Sequence, residues 1–406
     1  MLLPYASDFV PKRRPWATIG LMLFMLLLTL LVTGNTRLRL PWAGVQMLAH
    51  YGILPNNFKP LTLITYSFLH ESLGHLLTNC FYLWVFGTAV EAAVGRLRFL
   101  VLFVLAGMVG GMLQWMVTAT LLSPEAGTLP IVGASAACSG LVGLFAVRYY
   151  RARLSFVGLR FKPHVVTVVS LFLSYEILSA LGKLLKGETA FGVAHWAHIG
   201  GFVFGLGCAQ MLKLSEQGAR AYLSDDATIA MQTNLPGAAI KRWEILLQRE
   251  PENTEALREM AKAWLVLGDT EQATSYYLQA IQKSLKQGKR EKAASACAEM
   301  FREGIRESES SAKNVRLTPQ ELFHIGCTLE DGEEFEMAAE VLRFLIVQHP
   351  EIEEAESVFV RLVQLYGERL HRPEEARVFG HLFLKRFPQS RWCPLVESVL
   401  KKITSV

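Results

Sequence analysis

The first 213 residues alternate long apolar runs with short polar breaks, and the remainder does not. Six runs approach the roughly 20 apolar residues that a membrane crossing needs. They cover 16–34, 74–94, 98–121, 132–150, 164–184 and 192–212. The first follows Lys12-Arg13-Arg14 and is expected to be a retained transmembrane helix. It is long for a secretory leader, and the "TGNTRLRL" after it offers no small-x-small cleavage pattern. Within the break at 35–60, "PWAGVQMLAHYGIL" is apolar but too short to span, which fits an interfacial or re-entrant element. After Lys213 the chain turns rich in Glu, Lys, Arg, Gln and Ala, and the apolar positions take a helical period. One membrane domain (1–213), a linker or helix extension (214–237) and one soluble helical domain (238–406) are expected.

The distribution of charge adds a direction. Lys12, Arg13 and Arg14 precede the first run; Arg96 and Arg98 lie between the second and third. Arg148, Arg151, Arg153, Arg160 and Lys162 separate the fourth from the fifth, and Lys213 follows the sixth. The intervening loops are poorer in Lys and Arg, and 122–131 has none. By the positive-inside rule both termini are then cytoplasmic. Over all 406 residues the net charge is only +5, and the basic residues sit between apolar runs. They read as topology signals and not as a nucleic-acid footprint. The six cysteines, Cys80, Cys138, Cys208, Cys297, Cys327 and Cys393, have no CxxC or metal spacing and fit buried, reduced thiols.

Polar groups at membrane depth are costly and tend to mark function. The second run opens "FLHESLGHLLTNCFYLW", with His75 and Asn79 on one helical face and His70 just before them. The fourth opens with Gly133-Ala134-Ser135, and the sixth with "GVAHWAHIGGFVFG", carrying His195 and His198. All three enter from the outer side, so these residues gather near one depth. Ser135, Ser139 and Gly143 recur every four residues; His198, Gly201 and Gly205 recur at three and four. Small residues so spaced let membrane helices approach closely, which would bring Ser135 against His198. That pairing is nucleophilic catalysis: the hydroxyl needs an adjacent base, and the base later protonates the leaving amine. The N–H of Ser135, the side chain of Asn79 and an N–H of His75 are candidate oxyanion donors. No Asp or Glu is placed convincingly beside them, so a dyad is expected. Without an HxxxH or HExxH pair, no metal and no cofactor are expected.

These stretches resemble the rhomboid intramembrane serine proteases. The resemblance rests on "HESLGHLLTN", "GASAACSGLVG" and "AHIGGFVFG", in that order, with "VFGTAVEAAVGRLRFLVLFVLAG" after the first, and covers about residues 60–212. It implies cleavage of single-span membrane proteins near the outer end of their transmembrane helix. Ser135 would be the nucleophile, His198 the base, His75 and Asn79 oxyanion donors and His70 a supporting histidine. The family usually has Gly after the serine, where Ala136 stands here. Ser139, within "SGLVG", is a competing nucleophile, and His195 a competing histidine. A proteolytically inactive relative that binds or escorts membrane proteins is the alternative; a proton-relay transporter is a third class, disfavoured by polar groups gathered at one end.

In the C-terminal part, "TEALREMAKAWLVLGDTEQATSYYLQAIQK" reads as two amphipathic helices turning at Gly268-Asp269. "QELFHIGCTLEDGEEFEMAAEVLRFLIVQHP" repeats the scheme. A looser unit holds Ala376, Phe383 and Pro388, a partial one Ala239 and Trp243, and 284–316 fits poorly, with "REKAASACAEMF" a candidate for another helix of the array. The spacing of about 34 residues is that of tetratricopeptide repeats, which stack into a solenoid. The expected architecture is therefore all-α: a six-span rhomboid-like bundle in a bacterial inner membrane, followed by a cytoplasmic solenoid with an unidentified protein or peptide partner.

Overall fold

The apolar runs of the first half become helices. A computed structural model gives the fold and describes residues 4–9, 14–33, 42–122, 128–156, 158, 160–186, 193–305 and 316–404. Lys12, Arg13, residues 35–41 of the 35–60 break, and residues 123–127 of the 122–131 loop lie outside the described residues. The chain forms two compact units, Met1–Ala219 and Arg220–Val406.

In the first unit a strand, β1 (Pro4–Ser7), precedes α1 (Trp16–Thr33). Then come α2 (Trp42–Tyr51), the single turn α3 (Thr62–Thr65) and α4 (Leu73–Tyr82), which passes through a π turn at Leu83–Gly87 into α5 (Thr88–Val94). Next are α6 (Arg96–Leu121), α7 (Ser135–Arg148), the strand β2 (Leu154–Phe156), α8 (Val165–Lys186) and α9 (His195–Met211). The short apolar "PWAGVQMLAHYGIL" segment supplies α2. Among the described residues, four helices are long and apolar enough to cross a membrane by length and composition: α1, the continuous Leu73–Val94, α6 and α8 through Leu185. The fourth and sixth runs give shorter helices, 14 residues in α7 and 17 in α9.

The burial pattern explains the difference. Residues Ala136 to Phe145 of α7 are buried without a break, so this helix is enclosed by the others. By contrast α1 buries Leu21, Met25, Thr29 and Val32 on one stripe and exposes Leu23, Leu27 and Leu31 on the other. α8 likewise exposes Leu171, Tyr175, Leu178 and Leu185 and buries Val165, Val169, Glu176 and Ala180. Only the peripheral helices therefore need a lipid-facing stripe.

Glycines set the spacing around α7. A Cβ on Gly201 would stand 2.0 Å from the Ala136 carbonyl oxygen, and one on Gly205 2.0 Å from that of Gly140. On α6, a Cβ on Gly110 would stand 2.4 Å from the Ala197 oxygen and 2.8 Å from the Ala136 Cβ. The expected close approach of the fourth and sixth runs is thus made backbone to backbone, with α6 joining them. Ala136 lies within the helix and needs no positive φ. Its methyl occupies the room that Gly110 leaves, so it carries no backbone penalty.

At one end of this unit the basic segments meet. β1 pairs antiparallel with β2, Pro4 opposite Phe156 and Ser7 opposite Leu154. The Phe9 and Tyr149 rings lie 4.4 Å apart, and Tyr149 donates its hydroxyl to the Ala89 oxygen at 3.1 Å. The buried Glu91 carboxylate accepts the N–H groups of Ala17 and Thr18 at 3.1 and 2.8 Å, and the Thr18 hydroxyl at 2.8 Å. It therefore caps α1 from another helix, satisfying donors that a helix start leaves unpaired and answering the positive end of its dipole. Glu91→Ala should lower stability in detergent by about 1–3 kcal/mol, the cost of unpaired buried donors. A denaturant titration followed by tryptophan fluorescence checks this; an unchanged midpoint would contradict it.

The division between units falls inside α10 (Leu214–Gln232), so most of the segment read as a linker or helix extension is helical. The second unit continues with α11 (Pro236–Arg249), α12 (Thr254–Val266), α13 (Thr270–Lys286), α14 (Arg290–Arg302), α15 (Pro319–Asp331), α16 (Phe335–Gln348), α17 (Ala355–Gln364), α18 (Pro373–Arg386) and α19 (Cys393–Thr404). The turn at Gly268-Asp269 is as expected: Gly268 has φ +81°, and Asp269 accepts the Gln272 N–H at 3.0 Å to start α13. In the poorly fitting stretch 284–316, α14 forms, while 306–315 lie outside the described residues. Polar ties recur at similar separations. Lys283 reaches the Pro251 oxygen and, at 2.9 Å, Glu252; Arg386 reaches the Pro350 oxygen and Glu351, each at 2.9 Å. Ser390 donates to Glu356, 34 residues back.

Candidate active site

The helix starts at the other end of the first unit carry the polar residues. Ser72 begins α4 by accepting the His75 N–H at 3.2 Å. His70, fully buried, sits before that turn and places Nε2 2.9 Å from Asn79 Nδ2. The Ala134 N–H also points at the same nitrogen, at 3.5 Å. Two donors on Nε2 require it to be the acceptor, which puts the ring proton on Nδ1. His70 thus fixes the Asn79 amide and the approach to Ser135, while its ring meets that of His75 edge to face at 5.0 Å.

Gly133 enters α7 with φ +116°, a conformation that favours glycine. A Cβ there would stand 2.6 and 2.7 Å from Cε1 and Nε2 of His75. The chain therefore passes directly over the imidazole before delivering Ser135 to the first turn of α7. Among the described residues the Ser135 hydroxyl has no hydrogen-bond partner, whereas Ser139 donates its own to the Ser135 carbonyl at 2.9 Å. Ser139 is thus engaged within its helix and Ser135 is not. The first N–H groups of α7 are those a helix leaves unpaired, and its dipole favours negative charge beside them.

Ser135, His198, His75 and Asn79 line one cavity of ≈ 560 Å³, together with Glu176, His195 and Gln114. His70 lies behind it. Gln114 of α6 accepts the Ala197 N–H at 3.2 Å and donates to Thr118 at 3.1 Å, tying down the start of α9. The predicted site residues from three separated stretches thus converge. No Ser135–His198 hydrogen bond is formed in this conformation, as is common before a substrate closes a site.

Sequence reasoning missed Glu176. It is the one acidic residue of the fifth apolar run, is only 1 % exposed, and faces α9. Oε2 lies 2.6 Å from His195 Nδ1 in a hydrogen bond. It lies 3.1 Å from His198 Nδ1, too poorly aligned for one. Expecting no carboxylate beside the histidine was therefore incorrect. A lone acid on an apolar helix has no periodic partner to announce it, but its position at membrane depth was itself a signal. With Nδ1 turned to Glu176, His198 keeps Nε2 as the nitrogen able to act as a base.

Residues 57–214 match the family described as Rhomboid domain. The rhomboid match covers every site residue named above. The chain is similar to "Rhomboid protease GluP" of Bacillus subtilis (strain 168), 30% identical over 157 residues, or 39% of this chain and 27% of that protein. It is 28% identical over 148 residues to "Presenilin-associated rhomboid-like protein A, mitochondrial" of Danio rerio, 36% of each chain. "Rhomboid-like protease 3" of Toxoplasma gondii is 29% identical over 159 residues, 39% of this chain and 54% of that protein. The match thus spans about a quarter to a half of these relatives. Together the rhomboid domain and its relatives support the rhomboid family, an integral membrane protein and a protease-type function.

Proposed function

We propose that the first unit is an intramembrane serine endopeptidase that cleaves single-span membrane proteins near the outer end of their transmembrane helix. The observation that carries the reading is the convergence of Ser135, His198, His75 and Asn79 on one cavity, with Ser135 unengaged and Ser139 engaged. In the reaction His198 Nε2 takes the proton as Ser135 Oγ attacks the scissile carbonyl carbon. The developing oxyanion accepts hydrogen bonds from the α7 N-terminus, Asn79 Nδ2 and His75. The tetrahedral adduct collapses, the C–N bond breaks, and His198 gives the proton to the leaving amine. Water, activated by the same imidazole, then hydrolyses the acyl ester and restores Ser135.

Glu176 enters as a positioning residue. It orients His198 and balances the imidazolium that forms, so the dyad works with carboxylate support. Glu176→Gln should lower kcat by about 10²-fold with KM little changed, within the usual range for disrupting general-base catalysis. Progress curves on a single-span reporter check it; a rise in KM alone would assign Glu176 to substrate binding.

Six spans with both termini cytoplasmic are part of this reading, supported by the alternation of basic segments between the apolar runs. The second unit reads as a tetratricopeptide-like array for a protein or peptide partner, supported by helix pairs and by polar ties that each join residues 31 to 36 positions apart. The test is reconstitution of the full-length protein with a single-span reporter and mass spectrometry of the fragments. Cleavage near the outer end of the reporter helix is expected; an intact reporter would overturn the reading.

A further inference from the structure

We propose that Glu176, His195 and His198 form a site for a first-row divalent cation, with zinc as its natural test ion, and that its occupancy switches the peptidase off. One carboxylate oxygen and one ring nitrogen from each histidine lie within 4.8 Å of one another. Their side chains are 1%, 5% and 10% exposed. In a tetrahedral zinc site, ligand atoms at about 2.0–2.2 Å from the metal sit about 3.3 Å apart. The present spacings of 2.6 and 3.1 Å from the Glu176 oxygen to the two Nδ1 atoms lie below that value, so a bound ion needs the ligands to part by only a few tenths of an ångström. Two imidazoles and a carboxylate suit zinc and its neighbours better than magnesium or calcium, which prefer oxygen. All three residues line the cavity, which leaves the remaining position to water.

An independent observation points to a ligand. His198 Nδ1 is buried without a hydrogen-bond partner, although a carboxylate oxygen lies 3.1 Å away. His195 already donates to that oxygen. A buried carboxylate facing two imidazoles needs a compensating positive charge, which a proton or a cation can supply. The spacing of His195 and His198 by three residues puts both rings on one face of α9, and α8 brings the third ligand. No HxxxH pair is needed, because the site is completed across two helices.

The consequence for catalysis follows from the tautomer. A cation held by the Nδ1 lone pair leaves Nε2 carrying the ring proton. That nitrogen can donate a hydrogen bond but cannot accept the proton of Ser135. The metal and the serine proton thus compete for one imidazole. This inhibitory part rests on the peptidase reading above; the binding part does not.

The experiment separates the two. Cobalt(II) is titrated into full-length Ser135→Ala protein in detergent, following the visible absorption of a low-symmetry cobalt centre, and zinc is then added in competition. One cobalt per chain, displaced by zinc, is expected, and His195→Ala in the same background should weaken it at least about tenfold. Glu176→Gln should do the same and guards against misfolding of either variant. No absorption, or equal affinity in both variants, would overturn the site. In parallel, zinc should suppress reporter cleavage by the wild type, with recovery on adding a chelator. Ligand-dependent binding with undiminished cleavage would overturn the switch. Ligand-dependent binding in a protein that never cleaves would retain the site and refute the peptidase.

Discussion

Replacing Ser135 by alanine will abolish cleavage of a single-span reporter by the reconstituted full-length protein, a fall of about 10⁴-fold or more. The size follows from what is removed: the atom that forms the covalent intermediate. His198→Ala should fall to the same floor, and the double variant no further, because nucleophile and base act as a unit. Ser139→Ala should stay within about tenfold of wild type, since it deletes only a hydroxyl bonded to the Ser135 carbonyl at 2.9 Å, a contact worth about 1 kcal/mol. Initial rates from the three variants decide it. Loss in Ser139→Ala with activity retained in Ser135→Ala would move the nucleophile by one turn.

Gly201→Ala will have the second largest effect, although it adds one methyl and touches no reacting atom. The new Cβ would stand 2.0 Å from the Ala136 oxygen and 2.9 Å from its carbonyl carbon. Both are backbone, so no side chain can turn aside, and α9 must move away from α7. Ala136 follows Ser135 directly and Gly201 lies three residues after His198, so the movement separates the proton donor from the base. A misplacement of about 1 Å costs about 10²-fold in rate. Overpacking costs about 1–3 kcal/mol in stability. Gly207→Ala on the same helix is the control: nothing lies within 4 Å of its added methyl, and alanine is the better helix former. Rates and thermal midpoints in detergent should fall for Gly201→Ala and hold for Gly207→Ala. Equal behaviour of the two would mean that the close approach does not govern the site.

The helices of the first unit were legible because lipid and core both select long apolar runs, and because breaks carry charge. The depth shared by His75, Asn79, Ser135 and His198 was legible for the same reason: each follows a polar break at the start of its run. Three features were not. The pairing of β1 with β2 joins segments about 150 residues apart, and neither strand is long enough to show alternation. The π turn at Leu83–Gly87 changes backbone register without changing composition. Glu176 belongs to a helix that also exposes a broad apolar stripe, so its partners on α9 appear only when the helices are packed. Gly201 and Gly205 worked in the opposite direction: their spacing predicted the α7–α9 approach, which the carbonyl contacts then explain. In the second unit, Gly268 and Asp269 announced their turn through a positive φ and a helix cap, and "REKAASACAEMF" was legible as a helix, now α14, although the stretch around it fits the repeat poorly.

Mapping a fluorophosphonate adduct on the full-length protein by peptide mass spectrometry tests the central claim most directly. A single adduct on Ser135, lost in His198→Ala, is the predicted result. An adduct on Ser139, or on Ser135 in equal yield without His198, would contradict it.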